Sequence, residues 1–135
     1  MGNTHTETSE TGTLMTKAYH LAHKKIKDHV NAGPHDVIIT AGSGMTTVVN
    51  KFQRMLGFRT MQKMDAADCL KDEERPVVFI THMEHHSNHT SWIETIADVV
   101  QLKPNKDLLV CPDELQKELD NYKNRKMKIG SFTAC

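Results

Sequence analysis

The sequence predicts an α/β fold in which strands and helices alternate around a mostly parallel sheet. Two short runs carry the strand side of that prediction, Val37-Ile38-Ile39-Thr40 and Val77-Val78-Phe79-Ile80-Thr81. Both are rich in β-branched residues and framed by proline or glycine, the pattern of strands buried on both faces. Around them lie stretches whose apolar residues return every three or four positions, the period of a helix packed along one side.

Residues 11–31 read as the first helix. Met15, Ala18, Tyr19, Ala22, Ile26 and Val30 form its apolar side, Ser9 or Thr11 supplies a cap, and Gly33-Pro34 ends it. The run at 37–40 then suits a buried strand. A second helix follows at once, opened by Thr46 or Thr47, with Val48, Val49, Phe52, Met55 and Leu56 on its apolar face and Gly57 just past its end. Residues 58–75 are irregular and close on Lys71-Asp72-Glu73-Glu74-Arg75, a solvated connection. Pro76 introduces the strongest strand in the chain. Residues 97–102 suit another strand, and Pro112 opens a helix with Asp113 and Gln116 at capping-box spacing and Leu115, Leu119 and Tyr122 on one face. Residues 127–134 suit a last strand, and the whole chain, 1–135, is read as one domain.

Composition narrows the function classes. Seventeen basic side chains balance seventeen acidic ones, so no net field draws nucleic acid or an anionic membrane. Cys69, Cys111 and Cys135 are odd in number and far apart, which fits neither a disulfide framework nor a paired metal site and favours a reducing compartment. The start lacks a basic segment followed by an apolar one, so the cytosol is the expected location. Gly2 with Thr6 downstream matches the short myristoylation pattern, a match that arises easily by chance. No apolar run approaches a membrane span.

Two segments carry chemistry. Ala41-Gly42-Ser43-Gly44-Met45-Thr46-Thr47 leads into a helix, where backbone N–H groups and the positive helix end can cradle a phosphate and the hydroxyls add donors. A plain tight turn accounts for the glycines equally well. A nucleotide site with Asp65 on a ribose lacks the third glycine and a good second strand, and no Gly-Lys-Ser/Thr follows for a P-loop. A nucleophile elbow at Ser43 meets a bulky Met45 where a small residue belongs.

The second segment is the run of His82, His85, His86 and His89 after the strong strand. On a helix these would share a face and form a transition-metal site, so a non-enzymatic zinc-binding module is an alternative function. Pro76 and the β-branched run argue for a strand end instead, where the rings fan out and His82 and His89 are simply surface residues. Within Glu84-His85-His86-Ser87-Asn88, an imidazole could stack on a heteroaromatic cofactor while Asn and Ser offer polar contacts.

Taken in order, these segments resemble the class V aminotransferase family, particularly its cysteine desulfurase and selenocysteine lyase relatives. Asn3-Thr4-His5 with Gly12 is similar to the family's early Asn…His…Gly segment. Gly44-Met45-Thr46 with Asn50 is similar to its phosphate turn, and Glu84-His85-His86-Ser87-Asn88 with Trp92 to its Glu-His-His-Ser/Ala-Asn…Trp stretch. Ile129-Gly130-Ser131-Phe132-Thr133 resembles the strand leading to the next cofactor-contacting Asn.

The resemblance implies part of the large domain of a fold-type I transferase, pyridoxal 5'-phosphate as cofactor, an amino-acid substrate and a homodimer. Met45 and Thr46 at the Gly44 turn would bind the cofactor phosphate, His85 would stack on the ring, and Asn50 and Asn88 would line the pocket. The family's cofactor lysine, in a Ser/Gly-His-Lys segment, and its Asp partner to the pyridinium nitrogen would lie beyond Cys135. Without that lysine no residue of the chain is expected to be catalytic, and no cysteine here matches a desulfurase thiol, so the substrate class stays open. A degenerate, non-catalytic family member is the remaining alternative.

Overall fold

Four consecutive apolar residues, Val77-Val78-Phe79-Ile80, bury both faces of a strand only if separate layers cover each face. A computed structural model describes residues 4–59 and 70–133 and has this arrangement. Its elements are α1 (Glu10–His29), α2 (Met45–Met55), β1 (Val77–Ile80), α3 (His86–Ile93), β2 (Asp98–Gln101), α4 (Pro112–Asn121) and β3 (Lys128–Ser131). Residues 1–40 and 41–135 form separate units. Asn3, Asp65, Cys69, Cys135 and the myristoylation glycine, Gly2, lie outside the described residues.

In the second unit the described strands form a parallel sheet of order β2-β1-β3. β1 is central and wholly buried. Its pleat sends Val78 and Ile80 to one face, where they meet Phe58 and Trp92, with Val49 and Leu56 of α2 packed alongside. Val77 and Phe79 go to the other, against Leu102 and against Leu115, Leu119 and Tyr122 of α4. Thus α2 and α3 cover one face and α4 the other. Phe79, 1% exposed, meets the Tyr122 ring edge-on at 6.0 Å, and burying such a side chain contributes about 2–3 kcal/mol. At the amino end of the sheet Asp98 pairs with Arg75 (3.1 Å) and Arg125 (2.7 Å), holding β2 to the segments that flank β1 and β3.

In the first unit Ser9 caps α1, its Oγ accepting the Gly12 N–H. The preceding residues fold back along the helix: the His5 N–H donates to Thr16 Oγ1 at 3.1 Å, and that hydroxyl donates to Thr6 O at 3.3 Å. A Cβ on Gly12 would lie 2.8 Å from the Thr6 carbonyl oxygen, so this close approach requires glycine.

Several expectations give way. Residues 37–40 are not a strand: Val37 is 77% exposed and the run takes no place in the sheet of the described residues. A β-branched run forms a strand only where a partner takes up its N–H and C=O groups. In α1 the buried residues are Gly12 and Thr16, while Ile26 and Val30 of the expected apolar side are more than half exposed. α2 starts at Met45 with Gly44 as its cap, not Thr46 or Thr47, and faces the core through Val49, Gln53 and Leu56. Phe52 and Met55, expected there, are exposed. Phe58, expected in a solvated connection, is 3% exposed in the core. α4 is capped by Cys111, which makes no side-chain cap bond, so Asp113 and Gln116 form no capping box. Among the described residues no helix is long and apolar enough to cross a membrane.

Candidate functional site

Parallel neighbours release their following segments at the same edge of a sheet, and β1 and β3 do so here. At that edge lies a cavity of about 520 Å³, lined by Met45, Thr46 and Val49 of α2, by His85, Ser87 and Asn88 at the start of α3, and by Ser131, Phe132 and Thr133 at the exit of β3. Two helix N-termini thus border one cavity. Neither helix has an acidic residue in its first turn; the positive end of the α2 dipole is uncompensated there, while the Glu84 carboxylate stands just before the α3 cap.

The approach to α2 depends on Gly44, whose φ of 82° and ψ of −169° fall in a region open essentially to glycine. No side chain caps this helix, so its first N–H groups stay available to an anion. α3 begins differently. The His85 Nδ1 accepts the Ser87 N–H at 3.2 Å and lies 2.8 Å from Ser87 Oγ. An acceptor Nδ1 assigns the ring proton to Nε2. The histidine-rich stretch passes through a short turn that holds His82 and then enters a helix, against the expectation that it would fan out from a strand end: His85 is the cap, and His86 and His89 lie on α3. Among the described residues no three His, Cys, Asp or Glu side chains come together to hold a metal ion.

Behind the cavity wall sits Glu84. The Thr81 N–H (3.3 Å) and hydroxyl (2.6 Å) and the Thr133 N–H (3.1 Å) donate to its Oε1. The Thr133 hydroxyl (2.7 Å) and Asn88 Nδ2 (2.8 Å) donate to Oε2. Burial pushes this carboxyl up, but the side-chain hydrogen bonds from Thr133, Thr81 and Asn88 and the backbone bond from Thr133 outweigh it and lower the pKa from 4.5 to about 2. Asn88 is equally engaged: Nδ2 also donates to Ser131 O (3.3 Å), and Oδ1 accepts Trp92 Nε1–H (3.1 Å) and the Ser131 hydroxyl (2.8 Å). Wholly buried Gln53 links α2 to α3 by donating to Ser91 Oγ at 3.1 Å, while its Oε1 accepts Arg59 Nε–H at 3.1 Å.

Of the residues singled out in the sequence, Met45, Thr46, His85 and Asn88 border the cavity together, and Gly44 shapes the entry to α2. Asn50 does not border it; its Nδ2 donates to Thr46 O one turn earlier, at 2.8 Å. Ser43 is absent from the lining as well. Ser87, expected to offer a polar contact, is in the lining too, whereas sequence reasoning gave no site role to Val49, Ser131, Phe132, Thr133 or Glu84. The Glu-His-His-Ser-Asn stretch contains Glu84, but no local signal couples it to Thr133, 49 residues away.

A family model described as aminotransferase class-V matches residues 1–129. The chain belongs to that family. Comparison with curated proteins and with solved structures finds no match. Class V aminotransferases depend in general on pyridoxal phosphate. The parallel three-stranded sheet with helices on both faces is consistent with part of a fold-type I domain. For this class V chain the donor set fits such a group: one end of the cavity presents uncapped helix N–H groups and the Thr46 hydroxyl, and Met45, Val49 and Phe132 supply apolar surface beside the His85 imidazole.

Proposed function

We propose that this chain binds pyridoxal 5'-phosphate at the carboxyl ends of β1 and β3, as the cofactor-binding part of an enzyme acting on an amino acid at a carbon–sulfur or carbon–selenium bond. The reading is supported chiefly by the meeting of two helix starts without first-turn acids, one of them uncapped, with an imidazole at one cavity. The Met45 and Thr46 N–H groups and the Thr46 hydroxyl would hold the phosphate, because aligned backbone donors and the helix dipole favour a dianion. Gly44 keeps that backbone accessible. His85, fixed by its bond from the Ser87 N–H, would lie against the ring. Asn88 would contribute shape, since its amide is already satisfied, and Asn50 would act through the Thr46 carbonyl.

When bound, the cofactor supplies an electron sink for charge developing on the substrate. The residues of this chain bind it, orient it and keep water from its apolar side. Within residues 1–135 no lysine stands in a Ser/Gly-His-Lys segment, so the reading assigns these residues no covalent step. It carries with it the cytosolic location expected from the sequence and the homodimer that the resemblance implies.

Equilibrium dialysis against pyridoxal phosphate tests the reading. Thr46→Ala and His85→Ala should each weaken binding about tenfold, the size of one charge-assisted hydrogen bond or one ring contact. Binding untouched by both substitutions would sink the assignment.

A further inference from the structure

The hydrogen bonds behind the cavity wall have a direction that only one side chain at position 84 satisfies. An indole N–H can only donate, and Trp92 Nε1 donates to Asn88 Oδ1 (3.1 Å) and Ser131 Oγ (3.0 Å). The Ser131 hydroxyl in turn donates to the same Asn88 oxygen at 2.8 Å. Asn88 must therefore turn its Nδ2 toward Glu84 Oε2, 2.8 Å away. Two further partners of Glu84, the N–H groups of Thr81 and Thr133, are obligate donors. An amide at position 84 would set its NH2 either against Asn88 Nδ2 or against those backbone donors. Turning Asn88 over to relieve the first clash only moves it to the indole.

We infer that Glu84, which does not border the cavity, is a positioning residue for it: its carboxylate orients Asn88 and anchors Thr133, joining the start of α3 and the exit of β3 into one wall. The wall's effect on cofactor affinity rests on the proposed function; the ordered chain from Glu84 through Asn88 to Trp92 and Ser131 does not. A carboxylate suits this place because it accepts from several donors at once and competes for none of them. The bonds also span large sequence separations, 43 residues from Asn88 to Ser131 and 49 from Glu84 to Thr133, so they couple segments that nothing local holds together.

The chain has a single tryptophan, so the Trp92 indole N–H gives one resonance that reports directly on the far end of the relay. Glu84→Gln should shift that resonance and weaken pyridoxal phosphate binding in equilibrium dialysis about tenfold. Combining Glu84→Gln with Asn88→Asp restores a donor–acceptor pair between the two positions but sets an acceptor against the Ser131 carbonyl oxygen, so it should recover part of both signals. Wild-type affinity in Glu84→Gln, an unmoved indole resonance, or a double variant no better than the single one overturns the inference. Should Glu84→Gln not fold, Thr133→Val removes one hydroxyl from the same carboxylate, and about threefold weaker binding is expected, with wild-type affinity again overturning it. If the wild-type chain binds no pyridoxal phosphate, the proposed function fails. The resonance then judges the relay alone: movement in Glu84→Gln or Thr133→Val supports it, and none overturns it.

Discussion

Acidification should remove a defined increment of stability at Glu84. Burial works against its charged form, yet hydrogen bonds from Thr133, Thr81 and Asn88 hold its pKa at about 2 against an ordinary 4.5. A carboxyl depressed in this way is protonated more readily in the unfolded chain than in the folded one. Its contribution is therefore complete above the unfolded value, falls as the pH drops through the interval from 4.5 to about 2, and is gone below it. The full shift corresponds to about 3 kcal/mol, and solvent screening of a partly exposed group reduces this to about 1–2 kcal/mol. Urea unfolding followed by Trp92 fluorescence, at steps from about pH 6 down to about pH 2, measures it when wild type and Glu84→Gln are compared at each step. Carboxylates distant from position 84 cancel in that difference. The advantage of wild type should shrink by about 1–2 kcal/mol across the interval. A difference that stays flat, or widens on acidification, refutes the reasoning.

Two other substitutions follow from backbone geometry. Gly44→Ala meets no steric obstacle but places a Cβ at a φ of 82°, so chemical denaturation should show a loss of about 1–3 kcal/mol, with cofactor binding weakened at the displaced start of α2. Cys111→Ser gives α4 the cap oxygen that it lacks in a backbone already extended at φ −105° and ψ 109°, and the melting temperature should rise with a gain of about 0.5–1 kcal/mol.

Much of the frame was legible because its cause is local. Pro76 before four apolar residues marks a strand whose two faces must both be covered, and β1 is central and wholly buried. Pro112 marks the start of α4, and Leu115, Leu119 and Tyr122 do share the face that meets the sheet. Met45, Thr46, His85 and Asn88 were legible as a group through a family pattern of residue types, and they border one cavity. Other features failed where a local signal depends on a distant partner. Val37-Ile38-Ile39-Thr40 has strand composition and yet takes no place in the sheet of the described residues. Gln53 reads as a surface residue between Phe52 and Arg54, yet it is wholly buried because Ser91, 38 residues later, supplies its hydrogen bond.

Residue order thus marked β1 and α4 through the prolines that introduce them, and it singled out a glycine turn and a histidine-rich stretch whose residues border one cavity. Folding alone settled what stands behind that cavity. Glu84 meets Thr133, and Asn88 meets Ser131 and Trp92, because β3 returns beside β1 and brings chain separated by more than 40 residues within hydrogen-bonding distance. The direction of each bond, and hence the need for a carboxylate at position 84, exists only once those donors have been brought together.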